Sequence, residues 1–326
     1  MCKLGIISIL CNFSYICKDS TDRPWNDVIR HAQRMQGIFL SGIMRLIDGK
    51  QIAADLKAAL AEKVATFPQK YGRVPHLVVV RVGEDPASVV YVRNKAKACD
   101  AVGIRNTTLV LDENISEEAL LEKVRMLNAD DGVDGLLVQL PLPKHIRESK
   151  VIETIAREKD VDGFHPYNVA GLWQKTPHMS PCTPAGIMRL LDAIGVDPKG
   201  KRAVVIGRSN IVGLPVAKML LDRHATVTLC HTRTVDMPSV TREAEILVVA
   251  AGRAKMVTAD MVSEGCVVID VGMDTDPVTG KLCGDVDFDS VAPKASWITP
   301  VPGGVGPMTI ACLMENTVLC FEQKMA

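Results

Sequence analysis

The stretch Ala203-Val-Val-Ile-Gly-Arg-Ser-Asn-Ile-Val-Gly-Leu-Pro215 constrains the fold more than any other in this chain of 326 residues. Four apolar residues, Ala203 to Ile206, read as a buried strand. A turn holding Gly207 and Gly213 follows, and Val216 to Leu221 continues as a helix. Strand, glycine turn and helix in that order open a dinucleotide-binding βαβ unit. Glycine lets the backbone approach a pyrophosphate, and a helix N-terminus presents free N–H groups and the positive end of its dipole. The spacing departs from G-x-G-x-x-G, because Ser209 takes the second glycine's place and the last glycine comes one residue late. A strand–turn–helix without a ligand has the same outline, so a nucleotide site needs support from elsewhere.

Apolar runs alternate with helical periodicity on both sides of this stretch. Strands are expected at Leu77–Val82, Thr107–Leu111 and Gly135–Leu140, with helices at Gln51–Phe67, Ala87–Val102 and from Ser116 to about Asn128. Beyond a helix at Ala185–Ile194 and the strand at 203–206, further strands are expected at Thr226–Cys230, Ile246–Ala250, Val267–Val271 and near Ser296–Ile298. The pattern is α/β with parallel sheets covered by helices, in two domains that meet near residue 184. An amphipathic helix at Thr309–Phe321 closes the chain and is expected to return to the first domain. The domains are therefore expected to be 44–183 plus 308–326, and 184–307. Asp160 to Val169 reads as a polar, turn-rich segment.

Several function classes fall away on composition. Lys plus Arg and Asp plus Glu each number 38, for a formal charge of zero, and no basic run exceeds two residues, so nucleic acid is not an expected partner. No stretch of apolar residues is long enough to span a membrane. None of the ten cysteines forms C-x-x-C, which suggests reduced thiols in a cytosolic protein and no metal site. Residues 1–43 stand apart: Gly5–Cys17 is apolar without a convincing cleavage site, and Met44 looks like a natural start. The segment is expected to be a disordered or non-native extension.

Four features outside the glycine turn carry chemistry. Tyr91 and Lys95, four apart on a helix, share a face, and a lysine beside a phenol in a cleft shuttles protons; a solvated helix face has the same spacing. Gln139 ends a buried strand, where side chains line the ligand crevice of a parallel sheet or are satisfied by backbone. Asp162, before Gly163, offers a cleft-facing carboxylate to a pterin-like ring, or is ordinary turn chemistry. Val301-Pro-Gly-Gly-Val-Gly-Pro-Met308 is a glycine-rich loop stiffened by its prolines and leading into a helix. The second strand of the nucleotide unit ends in His231-Thr-Arg-Thr234 without the acid that holds an NAD ribose, whereas Arg233 with Arg208 suits the 2′-phosphate of NADP. A Y-x-x-x-K pair also marks short-chain dehydrogenases, but there the glycine turn precedes the tyrosine, the reverse of the order here.

Taken together, Tyr91-Val-Arg-Asn-Lys95, Asp134-Gly-Leu-Leu-Val-Gln-Leu-Pro-Leu-Pro143, Lys159-Asp-Val-Asp-Gly-Phe164, Pro181-Cys-Thr-Pro184, Gly207-Arg-Ser-Asn-Ile-Val-Gly213 and Pro300-Val-Pro-Gly-Gly-Val-Gly-Pro-Met-Thr309 resemble the bifunctional methylenetetrahydrofolate dehydrogenase/methenyltetrahydrofolate cyclohydrolase family, bacterial FolD type. The resemblance runs from about Leu46 to Phe321. It implies NADP-dependent oxidation of 5,10-methylenetetrahydrofolate and hydrolysis of the methenyl product to 10-formyltetrahydrofolate. By resemblance, Lys95 moves the cyclohydrolase proton, Gln139 holds Lys95, Tyr91 stacks on the aminobenzoate ring and Asp162 holds the pterin. Gly303 and Gly304 approach the folate, while Gly207, Arg208, Ser209, Thr232, Arg233 and Met273 line the NADP site. Thr232 and Met273 stand where relatives often carry Ser and Ile, changes that keep the hydroxyl and the apolar contact. A cytoplasmic homodimer is implied as well. A dehydrogenase restricted to NAD, or a non-catalytic binder that kept the fold, is the competing expectation; the intact Lys95, Gln139 and Asp162 and the two arginines weigh against both.

Overall fold

The structure, a computed structural model, describes residues 45–176 and 178–326. The expectation placed on residues 1–43 lies outside them. The first half runs β1 (Arg45–Leu46), α1 (Gly49–Ala65), α2 (Phe67–Tyr71), β2 (His76–Val82), α3 (Pro86–Val102), β3 (Arg105–Leu111), α4 (Glu117–Ala129), β4 (Gly135–Val138), α5 (Glu148–Thr154), α6 (Pro166–Gln174) and α7 (Cys182–Ala193). The second runs β5 (Arg202–Ile206), α8 (Gly213–Asp222), β6 (Thr226–Cys230), α9 (Met237–Thr241), β7 (Ile246–Val249), a short 3₁₀ turn, β8 (Val267–Asp270), β9 (Asp274–Thr275), β10 (Leu282–Cys283), α10 (Phe288–Val291), β11 (Trp297–Ile298) and α11 (Val305–Met325).

Strands β3, β2 and β4 form a parallel sheet in that order. Every residue of β2 is buried, as its unbroken apolar run demands of a central strand covered on both faces. A six-stranded parallel sheet follows the order β1-β11-β8-β7-β5-β6. The doubly wound arrangement expected from the alternation of strands and helices is therefore present. One strand sits in an unexpected place. Arg45–Leu46, assigned by sequence to the first domain, pairs with Trp297–Ile298 at the edge of the second sheet. Two residues carry too little pattern to reveal their partner. The Asp160–Val169 segment also holds more order than its polarity suggests, since α6 begins at Pro166, with the His165 side chain accepting the N–H of Tyr167.

The last helix starts four residues earlier than its apolar periodicity indicates, at Val305, directly out of the glycine loop. It packs on α1, α7 and α3 and touches β2 and β4, so it returns to the first sheet. Phe321, near its end, is fully buried, stacked on Phe67 and met edge-on by Tyr71. The largest apolar cluster runs without a break from Phe67 and Leu77 in the first half through Leu190 to Val205 and Ile246 in the second.

Candidate active site

The glycine turn is built as its sequence requires. Gly207 has φ of +115°, and a Cβ there would stand 2.1 Å from the Ala250 carbonyl oxygen, so only glycine fits. Ser209 Oγ accepts the N–H groups of Val212 and Gly213 at 3.2 and 3.4 Å, tying the turn to the start of α8 while its hydroxyl proton stays available to a ligand. Arg208, Ser209, Thr232 and Arg233 are all exposed, at the adjoining C-terminal ends of β5 and β6. Among the described residues neither the Arg208 nor the Arg233 guanidinium meets a carboxylate. Two guanidinium forks without a carboxylate partner among the described residues, beside a helix N-terminus, have the chemistry to hold a phosphorylated dinucleotide.

Lys95 owes its position to α3. Asp85 caps this helix by accepting the Ser88 N–H at 2.8 Å, Pro86 occupies its first turn, and Gly103, left-handed at φ +82°, ends it. The helix therefore starts just past the C-terminal end of β2. Gln139 extends β4 by one ladder bond, its N–H donating to Val80 O at 2.8 Å. These two placements bring Lys95 Nζ to 3.0 Å from Gln139 Oε1, while Gln139 Nε2 donates to Leu140 O at 2.7 Å. Lys95 is only 7% exposed. A buried amino group of this kind needs a polar partner, and Gln139 is that partner.

Asp162 is near enough to Lys95 for the two charges to act on each other. Sequence suggested an exposed turn carboxylate, whereas the side chain is half-buried. Burial pushes its carboxyl above the ordinary range; the Lys95 charge pulls it back down, and Asp160 pushes it up again. The cause of its fixed position is Asp160, whose carboxylate accepts the N–H of Gly163 at 3.2 Å and of His165 at 2.8 Å and the amide of Asn168 at 2.7 Å. Asp160 was read only as a neighbour of Asp162; a Asp-x-Asp-Gly spacing does not say which carboxylate turns inward.

Tyr91, one turn before Lys95, is half-buried with its phenol pushed up by burial. Its hydroxyl lies 3.5 Å from the Met273 sulfur, in the loop after β8, so one residue expected to meet the folate touches one expected to meet the cofactor. Met273 also lies against the glycine loop, since a Cβ on Gly306 would be 3.4 Å from its methyl group. Gly303 has φ of +116°, and the carbonyl oxygen of Gly304 is pressed against the start of α1, where a Cβ on Gly49 would be 1.9 Å away. Thr183 and Thr309 share a hydroxyl bond of 3.0 Å where α7 and α11 begin. A cavity of about 490 Å³ lies elsewhere, at the N-terminal ends of β7, β8 and β11, lined by Glu245, Val267 and Trp297. It gathers none of these groups.

Comparison with known proteins finds matches to both halves of the chain. The model of the tetrahydrofolate dehydrogenase/cyclohydrolase catalytic domain matches residues 47–162, and that of the NAD(P)-binding domain of the same family matches residues 181–325. The bifunctional protein FolD of Streptococcus pneumoniae serotype 4 is 57% identical over 273 residues, which make up 84% of this chain and 95% of that protein. The bifunctional enzyme FolD, methylenetetrahydrofolate dehydrogenase/cyclohydrolase, of Campylobacter jejuni has a similar structure, with a TM-score of 0.83 and 49% identity over 86% of this chain and 99% of that one. The methylenetetrahydrofolate dehydrogenase-cyclohydrolase of Trypanosoma brucei, solved with NADP cofactor and an inhibitor, gives a TM-score of 0.82 and 40% identity over 86% and 98% of the two chains. With both domain models and relatives of this identity matched over nearly their whole length, the chain belongs to the tetrahydrofolate dehydrogenase/cyclohydrolase family.

Proposed function

We propose that this chain oxidises 5,10-methylenetetrahydrofolate with NADP⁺ and hydrolyses the 5,10-methenyl product to 10-formyltetrahydrofolate in a single cleft. The observation that carries the reading is the enclosed Lys95–Gln139 pair, held beside Asp162 and one helical turn from a tyrosine that reaches the loop after β8.

When bound, NADP⁺ supplies the ring that receives a hydride. The arginines Arg208 and Arg233, with Ser209, Thr232 and the turn at Gly207, would hold its phosphates, and Met273 would line its site. No strong base is required of the chain in this step, because the two nitrogens flanking the methylene carbon stabilise the cation left behind. Tyr91, Gly303 and Gly304 orient the folate, Asp162 accepts hydrogen bonds from its pterin, and positioning does most of the work. Hydration differs. Water oxygen bonds to the methenyl carbon and one of its protons passes to the Lys95 amine, whose orientation Gln139 fixes through Oε1. The carbon–N5 bond then breaks as the remaining hydroxyl proton leaves and N5 gains one, for a net yield of 10-formyltetrahydrofolate and one proton.

A cytoplasmic homodimer completes the reading, on the strength of the family resemblance; sedimentation of the purified chain measures the assembly. The function itself is tested by supplying methylenetetrahydrofolate with NADP⁺ or NAD⁺ and following the reduced cofactor. NADP⁺ is the better substrate, and Arg208→Ala costs about 10–100-fold in kcat/KM for NADP⁺ while leaving NAD⁺ nearly unchanged, as the loss of a charge-assisted contact implies. Equal loss with both cofactors would contradict the phosphate assignment.

A further inference from the structure

Strands β8, β7 and β5 lie side by side, and in a doubly wound sheet the loops at their C-terminal ends form the ground on which a dinucleotide lies. The loop after β7 is pressed against the glycine turn after β5: Ala250 donates its N–H to Ile206 O at 2.8 Å, and its carbonyl oxygen occupies the space a Gly207 side chain would need. The loop after β8 carries Met273 to Tyr91. Two carboxylates that the hydride and hydration steps do not use knit these loops together. Asp285, with 0% of its surface exposed, takes the N–H groups of Ala251, Gly252 and Arg253 at 2.7, 3.2 and 2.6 Å. Asp270, the last residue of β8, takes those of Gly272, Asp285 and Val286 at 2.9, 3.0 and 3.0 Å. The approach is as close as glycine permits, since a Cβ on Gly272 would lie 2.3 Å from the Asp285 nitrogen and one on Gly284 would lie 1.9 Å from the Asp270 carboxylate. Successive backbone N–H groups curled round one point make an anion-binding nest. Here the acceptor is the protein's own side chain, so the nest shapes the loop and takes no ligand.

We propose that Asp285, seated by Asp270, is a positioning residue for the dehydrogenase half-reaction. It fixes residues 250–253 against the glycine turn, so that the cofactor meets a preformed floor instead of ordering a loop as it binds. The inference rests on the NADP-dependent reading above. An asparagine at 285 would keep the shape but turn one acceptor oxygen into a donor facing backbone N–H groups, which loosens the loop. Lys95 and Gln139 belong to the first sheet and its helices and lose no contact.

The test uses the full chain carrying Asp285→Asn. The KM for NADP⁺ rises about tenfold or more, with kcat less affected, and calorimetric affinity for NADP⁺ weakens by the same factor. Amide exchange at 251–253 speeds up before any cofactor is added, while hydrolysis of supplied methenyltetrahydrofolate stays within about twofold of wild type. Asp270→Asn gives the same split between the two activities. Unchanged NADP⁺ affinity overturns the inference. So does parallel loss of both activities with the folded fraction in both variants, which would make the pair general support for the fold. A wild-type protein that does not oxidise its folate with NADP⁺ defeats the functional reading instead, and calorimetry and exchange still judge the loop.

Discussion

At the residue scale several polar groups are kept from water by their neighbours, each with its own electrostatic consequence. Asp270 shows this most clearly. Burial pushes its carboxyl up to about 7 from the ordinary 3.8, although three backbone N–H groups pull the other way. Between those pH values the folded protein keeps a proton that the unfolded chain has released, so stability falls as pH rises through the window. Relative to Asp270→Asn, wild-type protein should lose stability from about pH 5 to about pH 7, with a slope of up to about 1.4 kcal/mol per pH unit, measured by denaturant titration. A flat difference would show that the carboxyl titrates normally. Sequence made some of these residues legible and not others. A spacing of four on a helix places Tyr91 and Lys95 on one face whatever else the chain does. Asp270 and Asp285 take their hydrogen bonds from backbone up to 34 residues away, and no local pattern announces such partners.

Elements set where those residues go. The caps of α3 and the extra ladder bond after β4 are both readable in sequence, as Asp85-Pro86, Gly103 and the end of an apolar run, and together they produce the Lys95–Gln139 contact. The glycine loop before α11 was legible as rigid but not in its partner. Its Gly304 carbonyl presses on the start of α1, some 255 residues earlier in the chain, and this contact fixes the loop that also borders Met273. Gly303→Ala would force a side chain into the left-handed region at φ +116° and bring its Cβ to 3.2 Å from the Lys50 side chain. Strain of about 1–3 kcal/mol is expected, with a raised KM for the folate and little change in NADP⁺ affinity. Steady-state kinetics with each substrate varied in turn measures this, and an unaltered folate KM would remove the loop from the substrate site.

For the whole molecule, the halves share material more than a boundary near residue 184 suggests. Strand β1 belongs to the second sheet, α11 returns to the first, and the largest apolar cluster runs through both. Alternating periodicity reveals the layers, but it is silent on which sheet claims a two-residue strand. A shared core predicts one cooperative calorimetric transition, and Phe321→Ala should lower it as a unit by about 3–5 kcal/mol, the cost of emptying a buried aromatic site. Two separable transitions would show independent domains. A single body is also what the proposed use of one cleft for two reactions requires. The most direct test of that claim gives methylenetetrahydrofolate and NADP⁺ to wild-type protein and to Lys95→Gln, and records NADPH and methenyltetrahydrofolate together. Wild type should form NADPH ahead of the methenyl compound. The variant should still form NADPH but accumulate methenyltetrahydrofolate in step with it, its hydrolysis reduced by about 10²–10⁴-fold. Hydrolysis at the wild-type rate in Lys95→Gln would contradict the account.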